Sequence, residues 1–276
     1  MKHPGLRALM ALIPLALVST GLAAARDLTF EERVEAQAAI DRVYYSHQIG
    51  ATKPFEEAVP RAVLEVKVRK YLQQTVALET YWKTRVTDEM LQREMERMAR
   101  GTRLPDRLRE LFAALNEDPF VIKECLARAT LVDRLARNFF AFDPGLHAEA
   151  RQRAEEIHRQ LAAGEIDFWN GHPDRTVVEL VEREGDTGEP PEREDGLPKE
   201  GQPSRRLLSP EEFRKERARW PKDPGSVSPV AEEREAFVIR VALSDAPGES
   251  RLAAYAVPKR AWDLWWEAVK GDLRGE

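Results

Sequence analysis

Between Leu28 and Phe142 the chain reads as one helical pattern after another, each with its own start and stop signals. "LTFEE" is a cap with an acidic first turn, and the helix it opens runs on through "RVEAQAAIDRVYYSHQI" to Gly50. Pro54 opens the next segment, where Leu64, Val68, Leu72 and Val76 recur at four-residue spacing as an amphipathic stripe. "RVTDEMLQREMERMARG" is a complete unit, with Thr87 as N-cap, Asp88 and Glu89 at the positive end of the dipole, Leu91, Met95 and Met98 on one face and Gly101 as the stop. "LPDRLRELFAALNED" and "PFVIKECLARATLVDRLARNFFAFD" follow, each with a proline near its start. Successive amphipathic helices bury their apolar stripes on one another, so this half is predicted to be an all-helical bundle.

The pattern changes after Pro144. "HAEARQRAEEIHRQLAAG" is one more helix, with Gly164 as its C-cap, and "TVVELVE" suits a short strand or a helical turn. Residues 182–206 are proline, glycine and charge with little to bury, the composition of a mobile insertion. Ser209, Pro210 and Glu212 form a capping box at the head of a helix. "FVIRVAL" and "RLAAYAV" then read as two strands joined by "SDAPGES", and "RAWDLWWEAVKGD" closes the chain as a helix. The expected fold class is α+β, mainly α, with a small antiparallel sheet in the second half.

At 276 residues the chain suffices for two modest domains with real cores. Its formal charge of −5 and the lack of a basic stripe interleaved with aromatics argue against nucleic acid as a partner. Lys2 and Arg7, the apolar "ALMALIPLALVST" and Ala23-Ala24-Ala25 form a secretory signal, residues 1–25. Cleavage there removes two positive charges and takes the formal charge from −5 to −7. The expected location is the periplasm without membrane insertion after cleavage; an uncleaved inner-membrane anchor is the alternative, since Ala8 to Ala25 is uncharged throughout. Cys125, the single cysteine, excludes an intrachain disulfide and reads as a small buried side chain.

Two stretches carry a resemblance. "VTDEMLQREMERMAR" is similar to a bundle helix of the chaperone domain in parvulin-type peptidyl-prolyl isomerases of the SurA and PpiD kind, exported folding factors of Gram-negative bacteria. Ala154, Ile157, Leu161, Gly164, Asp167 and Phe168 resemble that family's first long parvulin helix. "LLSPEEFRKERARWPKDPGSVSPVAEEREAFVIRV" parallels its finish, a Pro-Glu-Phe helix, a Ser-x-Pro-Val approach and a last strand. The resemblance implies a SurA-like helical chaperone domain at 28–142, a parvulin-like domain at 143–257 with its insertion at 182–206, and a final helix, 258–276, that packs back on the body.

The departures decide the functional expectation. The family's last strand carries a histidine where this chain has Phe237, no His-Ile-Leu strand precedes the first parvulin helix, and the family's glycine-rich segment is replaced by the insertion. Amide resonance sets a barrier of about 18–20 kcal/mol for prolyl isomerisation. Parvulins lower it with a desolvated proline pocket and a polar network, and a phenyl ring donates no hydrogen bond. The expectation is therefore an ATP-independent chaperone without cofactors that holds unfolded or proline-containing envelope proteins, with weak or no isomerase activity. The alternatives are an active isomerase using His147 or Asp167, and a dedicated assembly or structural partner of one envelope protein.

Candidate client-binding residues are Phe168, Phe213, Phe237, Met95, Met98 and Trp265. Trp262, Trp265, Trp266 and Val269 share a helical face, read first as core and alternatively as an exposed client surface. Glu155 and His158 form a lone Glu-x-x-His with no second copy, so no metal site is expected. His47, His147 and His172 fall beside element ends, where exposure is expected.

Overall fold

The computed structural model describes residues 26–183 and 204–274. The proposed signal segment, and all of the insertion except its two ends, lie outside the described residues. The first half is helical throughout. Helix α1 (Phe30–Ser46) starts at Thr29, whose hydroxyl accepts from the Glu32 amide while the Glu32 carboxylate accepts from the Thr29 amide. Pro60 splits the next segment in two, leaving a single turn, α2 (Phe55–Ala58), and the long α3 (Arg61–Trp82).

Helices α4 (Asp88–Gly101) and α5 (Pro105–Ala114) begin at the predicted Thr87 and Pro105. A continuous rod follows: α6 (Pro119–Val121), a π-wound stretch over Ile122–Ala127, and α7 (Arg128–Ala141). Val34, Leu64, Val68, Tyr71, Leu78 and Val132 fill the centre where α1, α3 and α7 meet. A second core joins α1, α5 and the π-stretch through Ile40, Leu111, Ile122 and Cys125. Burial pushes the Cys125 thiol up to about 11.

Helix α8 (Ala148–Ala162) leads into a five-stranded sheet. Gly164, just past the helix end, has φ +71°, the left-handed conformation that closes a helix most easily as glycine. The strands are β1 (Arg175–Glu182), β2 (Ser204–Leu208), β3 (Ala231–Glu232), β4 (Ala236–Ala246) and β5 (Glu249–Pro258), in the spatial order β2-β1-β5-β4-β3. Helix α9 (Pro210–Arg217) sits between β2 and β3 in sequence and begins with the predicted Ser209/Glu212 capping box.

The architecture is mixed helix and sheet, about half helical, with one correction. The sheet is neither small nor wholly antiparallel, because β1 and β2 pair in parallel from Val178 opposite Ser204 to Glu182 opposite Leu208. "TVVELVE" is thus a strand, and Ser204–Arg206, placed by sequence in the insertion, belong to β2. The reason is burial: Leu180 of β1 packs with Leu252, Phe213 and Trp220 under α9. Between β4 and β5 the turn shortens to Pro247 and Gly248, the glycine at φ +75°.

Helix α8 covers the other face of the sheet. Ala154, Ile157 and Leu161 pack on Phe237, Ile239 and Val241, alternate residues of β4, and on Tyr255 and Val257 of β5. Helix α10 (Trp262–Val269) lies against α3 and α7, with Trp265 and Trp266 buried beside Ala77 and Phe140. Gln73 of α3 donates to the Lys270 carbonyl at 2.8 Å, and Trp82 Nε1 donates to Asp143 at 2.9 Å, fixing both ends of this aromatic contact. No described helix is long and apolar enough to cross a membrane.

Candidate functional site

Phe237, which the sequence resemblance sets against a histidine, lies in β4. β4 turns its ring under α8, where it is 2% exposed. Two cations face the ring, Lys259 Nζ at 4.7 Å and the Arg151 guanidinium at 5.8 Å from its centroid. Lys259, just past β5, is itself buried. Its ammonium donates to the Ala141 carbonyl at 2.6 Å and to Glu232 Oε1 at 2.8 Å, and also lies 4.9 Å from the Phe142 ring centre. Arg151 approaches the other oxygen of Glu232 at 3.8 Å. A buried ammonium is tolerated because a carbonyl, a carboxylate and two ring faces replace its water. The ammonium is committed to its carbonyl and carboxylate, and the ring neither gives nor takes a proton.

The two other catalytic candidates do not join it. His147 is 2% exposed, which corrects the expectation of exposure: the Asp143 carboxylate accepts from the Gly145 and Leu146 amides, and this tight corner folds the ring inward against Phe140. Its Nε2 lies 2.7 Å from the Phe140 carbonyl, which only accepts, so Nε2 donates there, and Nδ1 is buried with no hydrogen-bond partner among the described residues. Asp167 is exposed and caps its own turn, accepting from the Trp169 amide at 2.9 Å and from Asn170 Nδ2 at 2.6 Å.

The client-binding candidates are corrected in the same way. Phe213, Phe237 and Trp265 are buried, and Met95, Met98 and Phe168 are half-buried flanks of the cores they pack against. Each packs on a core, so Phe213, Phe237 and Trp265 are sealed, while Met95, Met98 and Phe168 keep part of their surface exposed. Glu155 pairs with Arg151, while hydrogen bonds from Arg159 and Gln160 pull Glu156 down to about 2. Among the described residues no group of three or more His, Cys, Asp and Glu side chains could hold a metal ion.

An open groove does exist elsewhere, between α4 and α7, with a volume of about 360 Å³. Met90, Leu131 and Leu135 supply its apolar lining. Arg93, Arg97, Arg100 and Arg134 supply its charge, and Glu94 stands among them. The spacing of Met90, Arg93, Glu94 and Arg97 puts them on one face of α4, while Leu91, Met95 and Met98 face inward.

Glu94 is 2% exposed and accepts from Arg97 Nε and Nη2, at 2.9 and 2.6 Å, and from Arg134 Nη2 at 2.7 Å. Burial pushes its carboxyl up, but the hydrogen bonds and charges of Arg97 and Arg134 outweigh burial and hold it below the usual carboxylate range. Sequence reading assigned this helix a core face and missed the groove. The signal was present as arginines three and four residues apart, but their facing partner on α7 lies about forty residues away.

Compared with known proteins, the chain matches no family model, no curated protein and no solved structure.

Proposed function

We propose that the chain is an exported folding factor that holds unfolded polypeptide without ATP and does not catalyse prolyl isomerisation. The observation that carries this reading is the sealing of Phe237. At the position where the resembled parvulins place a histidine, the side chain is an apolar ring buried under α8 and flanked by a committed ammonium and a guanidinium. A proline entering there meets a buried ring in place of an imidazole. The resemblance in "VTDEMLQREMERMAR" and "ARQRAEEIHRQLAAGEIDFW" supports the folding-factor class, and the basic-apolar-small order of residues 1–25 supports export.

The test pairs two assays on the purified protein. Protease-coupled isomerisation of short Xaa-Pro peptides is expected to run at the uncatalysed rate, while aggregation of an unfolded outer-membrane protein is suppressed at near-stoichiometric ratios. Acceleration of the slow phase replaces this reading with an active isomerase. Failure of both assays leaves a dedicated assembly partner, to be sought among envelope proteins.

A further inference from the structure

The groove between α4 and α7 combines three features: an aliphatic floor, a buried carboxylate and an excess of guanidinium. We propose that it is a docking site for acidic, leucine-rich segments of polypeptide, and this rests on the polypeptide-holding function argued above for the class of partner. Four arginines line the groove against one carboxylate, in a chain whose formal net charge is −5. Glu94 spends both oxygens on Arg97 and Arg134, which fixes those two guanidiniums in place with donors left over.

Arg93 gives only its Nε, to the Glu89 carbonyl at 3.3 Å, and Arg100 reaches Glu96 at 3.9 Å, the outer limit of an ion pair. Each retains donors for an incoming carboxylate. Buried Glu94 thus does the work of preorganisation, and the outer arginines provide the attraction.

The floor selects among anions. Half-buried Met90 and Leu135 present flexible and branched aliphatic surface over buried Leu131, suited to a leucine side chain between acids. The groove lining has no aromatic ring on which a base could stack. A polypeptide segment carrying Glu or Asp on both sides of leucine satisfies floor and walls together.

The experiment is fluorescence anisotropy of a labelled peptide of repeated Glu-Leu-Leu-Glu units with the full chain, alongside the same peptide with glutamine for glutamate. The acidic peptide is expected to bind about tenfold more tightly and to weaken steeply with salt, and the double variant R93Q/R100Q, both sites exposed, to lose about tenfold while its circular dichroism is unchanged. Equal binding of the two peptides, or an unaltered affinity in the variant, overturns the proposal. So does tighter binding of single-stranded DNA or of phosphatidylcholine/phosphatidylglycerol vesicles. If the acidic peptide binds as expected but the protein suppresses no aggregation, the holding function fails and the groove stands; if aggregation is suppressed and R93Q/R100Q changes nothing in the peptide assay, the groove fails and holding stands.

Discussion

Lys259 Nζ lies 4.7 Å from the centre of the Phe237 ring while donating to the Ala141 carbonyl at 2.6 Å. One ammonium therefore ties the end of α7, the strand β4 and the chain beyond β5 into a single joint, with Glu232 of β3 as its counter-ion. Lys259→Met keeps the length of the side chain but strands a carbonyl and a carboxylate. Breaking such charge-assisted bonds is expected to cost about 2 kcal/mol, read as a lowered urea midpoint at unchanged slope.

Phe237→His restores the residue type of the resembled family but not its surroundings. An imidazole in this site meets Ile157, Leu161 and a cation, so it lacks a partner for its second nitrogen. The variant is expected to be less stable by about 2–4 kcal/mol and to show no gain in isomerisation of Xaa-Pro peptides. A catalysed slow phase in this variant would overturn the reading that the site cannot isomerise proline.

Glu94 links stability to pH. Its carboxyl titrates below the ordinary 4.5 in the folded protein, so the unfolded chain takes up the proton first. The contribution is present above pH 4.5 and is lost as pH falls through the lower folded value. Glu94→Gln is expected to cost about 2 kcal/mol at pH 7 through the unpaired arginines, a figure reduced because Arg97 and Arg134 are half exposed. Urea unfolding of both proteins at pH 7 and pH 3 should show the gap narrowing in acid.

The Cys125 thiol, held at about 11 by burial, stays protonated at pH 8 except for on the order of a thousandth of the molecules. Labelling by a disulfide reagent is expected to be slow in buffer and immediate in denaturant. Fast labelling of the native protein would contradict the packing of the π-wound stretch against α1.

Trp265 contacts Tyr81, Trp82, Phe140 and Trp262 with ring centres 5.1–5.6 Å apart. Trp265→Ala removes the centre of that cluster and is expected to cost about 3–5 kcal/mol, measured by thermal and urea unfolding. A loss below about 1 kcal/mol would mean that α10 contributes little to the bundle.

Local chemistry made much of this legible in advance. Thr29, Thr87 and Ser209 cap helices because a hydroxyl beside the first free amides satisfies them wherever the rest of the chain goes, and β4 and β5 announce themselves by Val and Ile at strand length. The long stripe on α3 was only half right. Leu64 and Val68 are buried, but strict four-residue steps rotate about 40° past a full turn each time, so the buried row shifts to Tyr71, Gln74 and Leu78.

Other features had no local signature. The parallel pairing of β1 with β2 goes with Leu180 packing on Phe213 and Trp220 on the face that α9 covers, about thirty residues on. His147 reads as an exposed helix start, yet the corner at Asp143 turns it inward. The four arginines of the groove are ordinary solvated charges until α7 brings Arg134 against Glu94. The sequence by itself determined where most helices and the strands β4 and β5 begin, because caps, prolines and apolar spacing act over a few residues. Only the tertiary structure decided which side chains are sealed and which share a groove, because burial and electrostatic pairing depend on residues that the chain order keeps far apart.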